Sequence, residues 1–212
     1  MWLLLTGLAF GTVYDGAVAY ESIHDALDSG ATSVVVKGDH VEAGLRVDSD
    51  LTITVNPSGI LTLKAGDGPA LEVATGTKLV IDNLGTTNVF GGTFSGPVAQ
   101  DIVGPYYGYG CETANQGPLN RQDRAVLVRR SATLEASHVN FQCGAAPNDA
   151  FSREGGVIFG AEESRIVLTD STVSLGTAAR GGGIASRGAV ELVRGSVFSN
   201  AASSGGGVAM YE

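Results

Sequence analysis

The chain has 212 residues, 31 of them glycine and 6 proline, with 43% apolar residues and a formal charge of −9. That apolar content excludes intrinsic disorder, and the length suits one sizeable domain or part of a repeat array. Acids outnumber bases 13 to 4 before residue 121 and match them 9 to 9 from there on, so no basic patch exists to neutralise phosphates, and nucleic acid is excluded as an expected partner.

Residues 1–19 are expected to be an export signal. Trp2 to Phe10 forms an apolar run too short to span a bilayer. Ala17-Val18-Ala19 supplies a small-x-small cleavage pattern before Tyr20. No Lys or Arg precedes the apolar run, and a buried first strand or helix is the alternative. In an exported chain, Cys111 and Cys143 are expected to pair as a disulfide. Closing a loop of about 30 residues would contribute roughly 3–4 kcal/mol.

A short helix is expected between Tyr20 and Gly30. Ser22 is placed to cap it with Asp25 three residues on, Ile23, Ala26 and Leu27 form one apolar stripe, and Gly30 suits a left-handed stop. Such a helix would cover the open end of a strand stack.

Short strands follow at Ser33–Lys37, Leu45–Val47, Leu51–Val55, Leu61–Leu63, Leu71–Val73 and Leu79–Ile81. Leu51, Ile53 and Val55 alternate with threonines, which places them on one face. Between the runs lie turn sequences such as Asn56-Pro57-Ser58-Gly59 and Thr75-Gly76-Thr77. Strands this short fit a chain that turns a corner every few residues better than a sandwich.

Residues 97–124 break the rhythm and are expected to form an inserted surface loop, tied down through Cys111. Val89-Phe90 is a possible strand before it. The rhythm resumes at Ala125–Val128. Leu134, Ser137, Val139 and Phe141 align with Leu168, Ser171, Val173 and Leu175. Leu192, Gly195 and Val197 then align with the first three of those, after a shorter step. Gly-Gly-aliphatic openings recur in the same stretch, with Val157, Ile184 and Val208 in matching places. Repeat steps in this range, roughly 20–50 residues, point to solenoids. The chain stops inside an expected strand without a polar cap, so further coils or a C-terminal domain are expected beyond Glu212.

These features together resemble the right-handed parallel β-helix group called pectin-lyase-like, over residues 20–212. The likeness rests on the Ser22–Leu27 helix leading into Val34-Val35-Val36, the Leu-x-Ile-x-Val runs and the Gly-Gly-Gly-Ile and Gly-Gly-Gly-Val turns. The C-terminal part is similar to the repeats of polymorphic outer-membrane proteins, a family of surface autotransporters. Gly182-Gly183-Ile184, Gly206-Gly207-Val208 and Phe198-Ser199-Asn200 carry that likeness. It implies an all-β right-handed parallel β-helix of about seven coils at roughly 24 residues each, capped by a short N-terminal helix. It also implies a secreted or outer-membrane cell-surface location, and a structural, adhesive or ligand-binding role with carbohydrate or a cell-surface protein as partner.

No catalytic motif is found, and neither a cofactor nor a metal site is expected. Asp39, His40 and Glu42 fall in one expected turn, as do Asp48 and Asp50. A solvated turn accounts for both groups, since a calcium site needs six to eight oxygens. Ser137 and His138, near Glu135 and Asn140, cannot form a hydrolytic triad by adjacency, because neighbours in a strand point to opposite faces. Tyr106, Tyr107 and Tyr109 are the candidate ligand-binding residues: several aromatic faces in one loop can stack on sugar rings or form a protein contact. The alternative is that they pack back and anchor the loop. Pectate and pectin lyases of the resembling fold use clustered acids, calcium and an arginine base. Arg129, Arg130, Arg153 and Arg165 match no such motif, so the rival reading of a polysaccharide lyase or hydrolase carries over no catalytic residue.

Overall fold

The computed structural model describes residues 11–65, 68–91, 124–144 and 154–211. The protein is all-β: among the described residues strand dominates and there is one short helix. A hairpin opens the chain, β1 (Thr12–Asp15) and β2 (Val18–Tyr20), followed by α1 (Ile23–Asp28). Six successive sets of strands come next. The first is β3 (Ser33–Lys37), β4 (Asp39–Ala43) and β5 (Leu45–Val47). The second is β6 (Leu51–Val55), β7 (Ile60–Lys64) and β8 (Leu71–Val73). In the third, β9 (Lys78–Phe90) covers two strand places in one run, and β10 (Val126–Val128) completes it. The fourth is β11 (Thr133–Gln142) and β12 (Ile158–Gly160). The fifth is β13 (Arg165–Thr169), β14 (Thr172–Ser174), β15 (Thr177–Arg180) and β16 (Ile184–Ser186). The sixth is β17 (Ala189–Val193), β18 (Ser196–Phe198), β19 (Ala201–Ser204) and β20 (Val208–Met210).

Each set pairs in parallel with the next. One ladder runs β3, β6, β9, β11, β13, β17, and a second runs β5, β8, β10, β12, β16, β20. A third passes from β4 through β7, the far halves of β9 and β11, then β14 and β18. β15 and β19 form a two-stranded sheet. The hairpin makes the sheet mixed, because β1 pairs antiparallel with both β2 and β3.

Register is set by burial. Val34, Ile53, Ile81, Ala136 and Leu168 face one another in successive strands and are buried. Leu45, Leu71, Val126, Ile158 and Ile184 do the same on the opposite side of the core. Each such side chain gains about 1.5–3 kcal/mol by leaving water. Slipping any strand by one residue would turn its whole apolar set outward.

The structure corrects several sequence expectations. Leu134 faces Ile166 and not Leu168, whose partner is Ala136, so the first late step is shorter by one side-chain repeat. Ile158, not Val157, faces Ile184. Leu134 faces Leu79, and the chain between them holds residues 92–123, which lie outside the described residues, as do residues 145–153. Asp39 to Ala43 is strand rather than turn. The helix is confined to Ile23–Asp28, with the Asp25 N–H donating to the Ser22 side chain at 3.0 Å and Gly30 at φ +87°. Residues 12–20 are largely strand, and Val13 is wholly buried.

Corners repeat between sets. His138, Asp170 and Arg194 occupy one corner with φ of 56°, 48° and 51°. Cys143, Leu175 and Ser199 occupy another, with φ of 61°, 61° and 53°. Each left-handed non-glycine residue costs about 1–2 kcal/mol, which the flanking ladders offset. Glycine is needed where backbones touch: a Cβ on Gly176 would sit 1.9 Å from the Gly182 carbonyl oxygen. Gly76, at φ +74°, has nothing within 4 Å of that position. Gly176→Ala is therefore expected to cost about 3 kcal/mol by over-packing, and Gly76→Ala only about 1 kcal/mol of backbone strain. Denaturant midpoints of the two variants check this, and equal losses would refute it.

Candidate functional site

His40 and Glu42 stand at inward positions of β4, where the next strand in register carries Leu61 and Leu63. Both are buried, at 6% exposure. A charge at such a position is costly unless it is paired and hydrogen-bonded. Glu42 is. Its Oε2 accepts from His40 Nε2 at 2.9 Å and from the Ile23 backbone N–H at 2.9 Å. Its Oε1 accepts from His24 Nδ1. His40 Nδ1 faces the Gly11 carbonyl oxygen at 3.3 Å. One carboxylate thus gathers the first residue of α1, a helix side chain and a β4 neighbour. Burial pushes the Glu42 carboxyl up, but the hydrogen bonds from His40, Ile23 and His24 outweigh it and hold the group below the usual carboxylate range. Among the described residues, no group of three or more His, Cys, Asp or Glu side chains is placed to hold a metal ion.

The other predicted residues are not brought together. Tyr106, Tyr107, Tyr109, Cys111 and Arg153 lie outside the described residues. Cys143 follows the end of β11. Asp48 accepts from Arg46 Nε at 2.8 Å, whereas Asp50 accepts from the Lys78 backbone N–H at 2.8 Å. Ser137 Oγ lies 3.4 Å from the Ile81 carbonyl oxygen and 3.3 Å from Asp82 Oδ1. His138, turned out by its left-handed corner, reaches Asp170 at 3.7 Å. Asn140 donates to Asn88 Oδ1 at 3.2 Å and accepts from Thr172 Oγ1 at 2.9 Å. No nucleophile–base pair results among these described residues.

Comparison with known protein families, with curated proteins and with solved structures finds no match for this chain.

The outer faces carry ladders of charge. Lys78 Nζ, Glu135 and Arg165 follow one another at 2.9 and 3.5 Å, and Arg165 reaches Glu191 at 3.0 Å. Glu72 binds Arg46 at 3.3 Å and Arg129 at 2.9 Å. Glu163 accepts from Ser131 Oγ at 2.6 Å and from Arg130 at 3.0 Å, and these hold its carboxyl below the usual range. Asp170 is lowered chiefly by its two bonds from Arg194, at 2.7 and 2.5 Å. The described arginines weighed as a lyase base, Arg129, Arg130 and Arg165, are each held by a carboxylate. Exposed pairs of this kind contribute little to stability.

Sequence reasoning passed over His24. Nothing in its spacing links it to Glu42; only the docking of α1 over β4 does. Removing Glu42 alone leaves the His40 ring, the His24 ring and the Ile23 N–H without their acceptor, whereas replacing the pair by aliphatics leaves only the last two. Glu42→Ala is expected to cost about 3–5 kcal/mol at neutral pH. The double variant His40→Leu/Glu42→Leu, which copies Leu61 and Leu63 but leaves the Ile23 N–H without its acceptor, is expected to cost about 1–3 kcal/mol, less than the single change. Urea unfolding of both checks this.

Proposed function

We propose that the chain is a right-handed parallel β-helix exported to the cell surface or the medium. Its role in this reading is structural, adhesive or ligand-binding, without catalysis in this segment. The observation that carries the reading is the recurrence of corners. His138, Asp170 and Arg194, then Cys143, Leu175 and Ser199, then Gly155, Gly181 and Gly205, return at the same place in successive strand sets, all with positive φ. Each set pairs with the sets before and after it, as in a repeat that propagates in one dimension. Asn200 supports the reading too: its side chain accepts from the Gly176 N–H at 2.7 Å and donates to the Val173 carbonyl at 3.0 Å, tying one corner to the next. The Gly-Gly-aliphatic openings agree with the likeness to pectin-lyase-like proteins and to the repeats of polymorphic outer-membrane proteins.

The sixth set supports further coils, or a C-terminal domain, beyond Glu212. Its inward positions continue buried columns but are open to solvent: Leu192 at 39%, Val208 at 37% and Met210 at 52%. Export rests on the apolar run Trp2–Phe10. Cleavage before Tyr20 would remove β1 and the buried Val13, so the exported chain is expected to keep Thr12–Tyr20. N-terminal sequencing of exported protein checks this, and Tyr20 as first residue would refute it. A Cys111–Cys143 bridge remains part of the proposal, resting on the export of a chain with two cysteines. Both thiols are expected to resist alkylation until reduced.

The binding role is tested on a glycan array and on whole cells. The triple variant Tyr106→Ala/Tyr107→Ala/Tyr109→Ala is expected to bind about tenfold or more weakly, as loss of aromatic anchors does. Unchanged binding would remove the tyrosines from the site. Release of unsaturated or reducing sugars from a polysaccharide would replace this reading with an enzymatic one.

A further inference from the structure

We propose that His24, His40 and Glu42 form an acid-released latch that holds α1, and the chain entering β1, over the end of the strand stack. The argument begins with position. Inward sites on the third ladder hold aliphatic or aromatic residues for most of its length: Leu63, Val89, Phe141 and Val173 stand in the column that Glu42 begins. An aliphatic residue would pack there as well, and buried ion pairs are commonly no more stabilising than apolar residues of similar size. The pair is therefore suited to something packing alone does not supply.

What it supplies is a shared attachment point. The chain just before β1 reaches it through the Gly11 carbonyl, and the Gly11 N–H bonds the Asp39 carbonyl beside it. The helix reaches it through the Ile23 N–H and the His24 ring. Beneath, β7 offers only Leu61 and Leu63 at the facing positions. Asp25, the other titratable group in the first turn of α1, is engaged with Ser22 at 2.7 Å, and Asp39 on β4 points outward. The groups that face Glu42 are therefore His24 and His40, and the ionised carboxylate is the form that holds these two rings and the Ile23 N–H most strongly.

The direction with pH follows. Glu42 titrates below its ordinary range in the folded protein. Its contribution is complete above the unfolded value, about pH 4.3. It is lost as pH falls from there through the folded value. Across that window the opening constant of the cap rises by up to about tenfold per pH unit.

Hydrogen exchange of the whole chain, corrected for intrinsic rates, tests the latch at pH 7 and pH 3.5. The expected result is an opening of α1 that rises several-fold more than that of β6, β9 and β11. In His40→Leu/Glu42→Leu the opening of the cap is expected to rise with acid no more than that of those middle strands. Two outcomes overturn the proposal: equal responses of cap and middle strands in the parent protein, or the same cap response in the double variant. The first needs no variant to fold.

Discussion

Register between parallel neighbours is the constraint on which everything else depends. Once Val34, Ile53, Ile81, Ala136 and Leu168 stand in line, each corner must bring the chain back at a set height. In the third set residues 83–86 make the turn from the first ladder into the third, and in the last three sets a single residue does. This is why His, Asp, Arg, Cys, Leu and Ser all accept left-handed backbone at equivalent corners, a conformation that few non-glycine residues adopt. It is also why glycines are fixed where corners stack, with Gly156, Gly176 and Gly182 too close to a neighbouring backbone to carry a side chain.

Strands with a plain alternation were legible. Leu51 to Val55 has its three aliphatics buried and its threonines half-buried, and the Ser22-to-Gly30 signals placed a helix correctly to within a turn. The slip that pairs Leu134 with Leu168 has a physical reason. With a side-chain period of two, shifting a strand by two keeps every residue on its own face, so that pairing satisfies the pattern as well as pairing Leu134 with Ile166 does. Only the hydrogen-bonded register separates the two. β4 was missed for the opposite reason. His40 and Glu42 are the inward residues there, and a polar pair flanking Val41 reads as a solvated turn unless α1 is known to lie over it.

The two ends of the stack differ in kind. At the first, β3 is covered by an antiparallel strand, which breaks the parallel pattern and removes the edge as a template for another chain. Ile23 and Ala26 close the core above it. At the other end, β17 to β20 are the last paired strands, and their inward residues are part-exposed.

Charge is distributed by the same geometry. On the outer faces, Lys78, Glu135, Arg165 and Glu191 alternate in sign across neighbouring strands, where water screens them and each pair contributes little. Glu42 has the same type of charge in a buried place. Removed from water, it requires every one of its donors, so α1 and β4 are tied at that point, while β1 is held to β3 by its own ladder. An aliphatic cap would tolerate small shifts of α1 at little cost, because dispersion contacts vary smoothly with distance. Hydrogen bonds to a buried carboxylate do not, since a lost bond leaves a charged group unsatisfied. The polar pair thus gives the first end of the stack a discrete closed state, a property that none of the apolar columns beneath it provides.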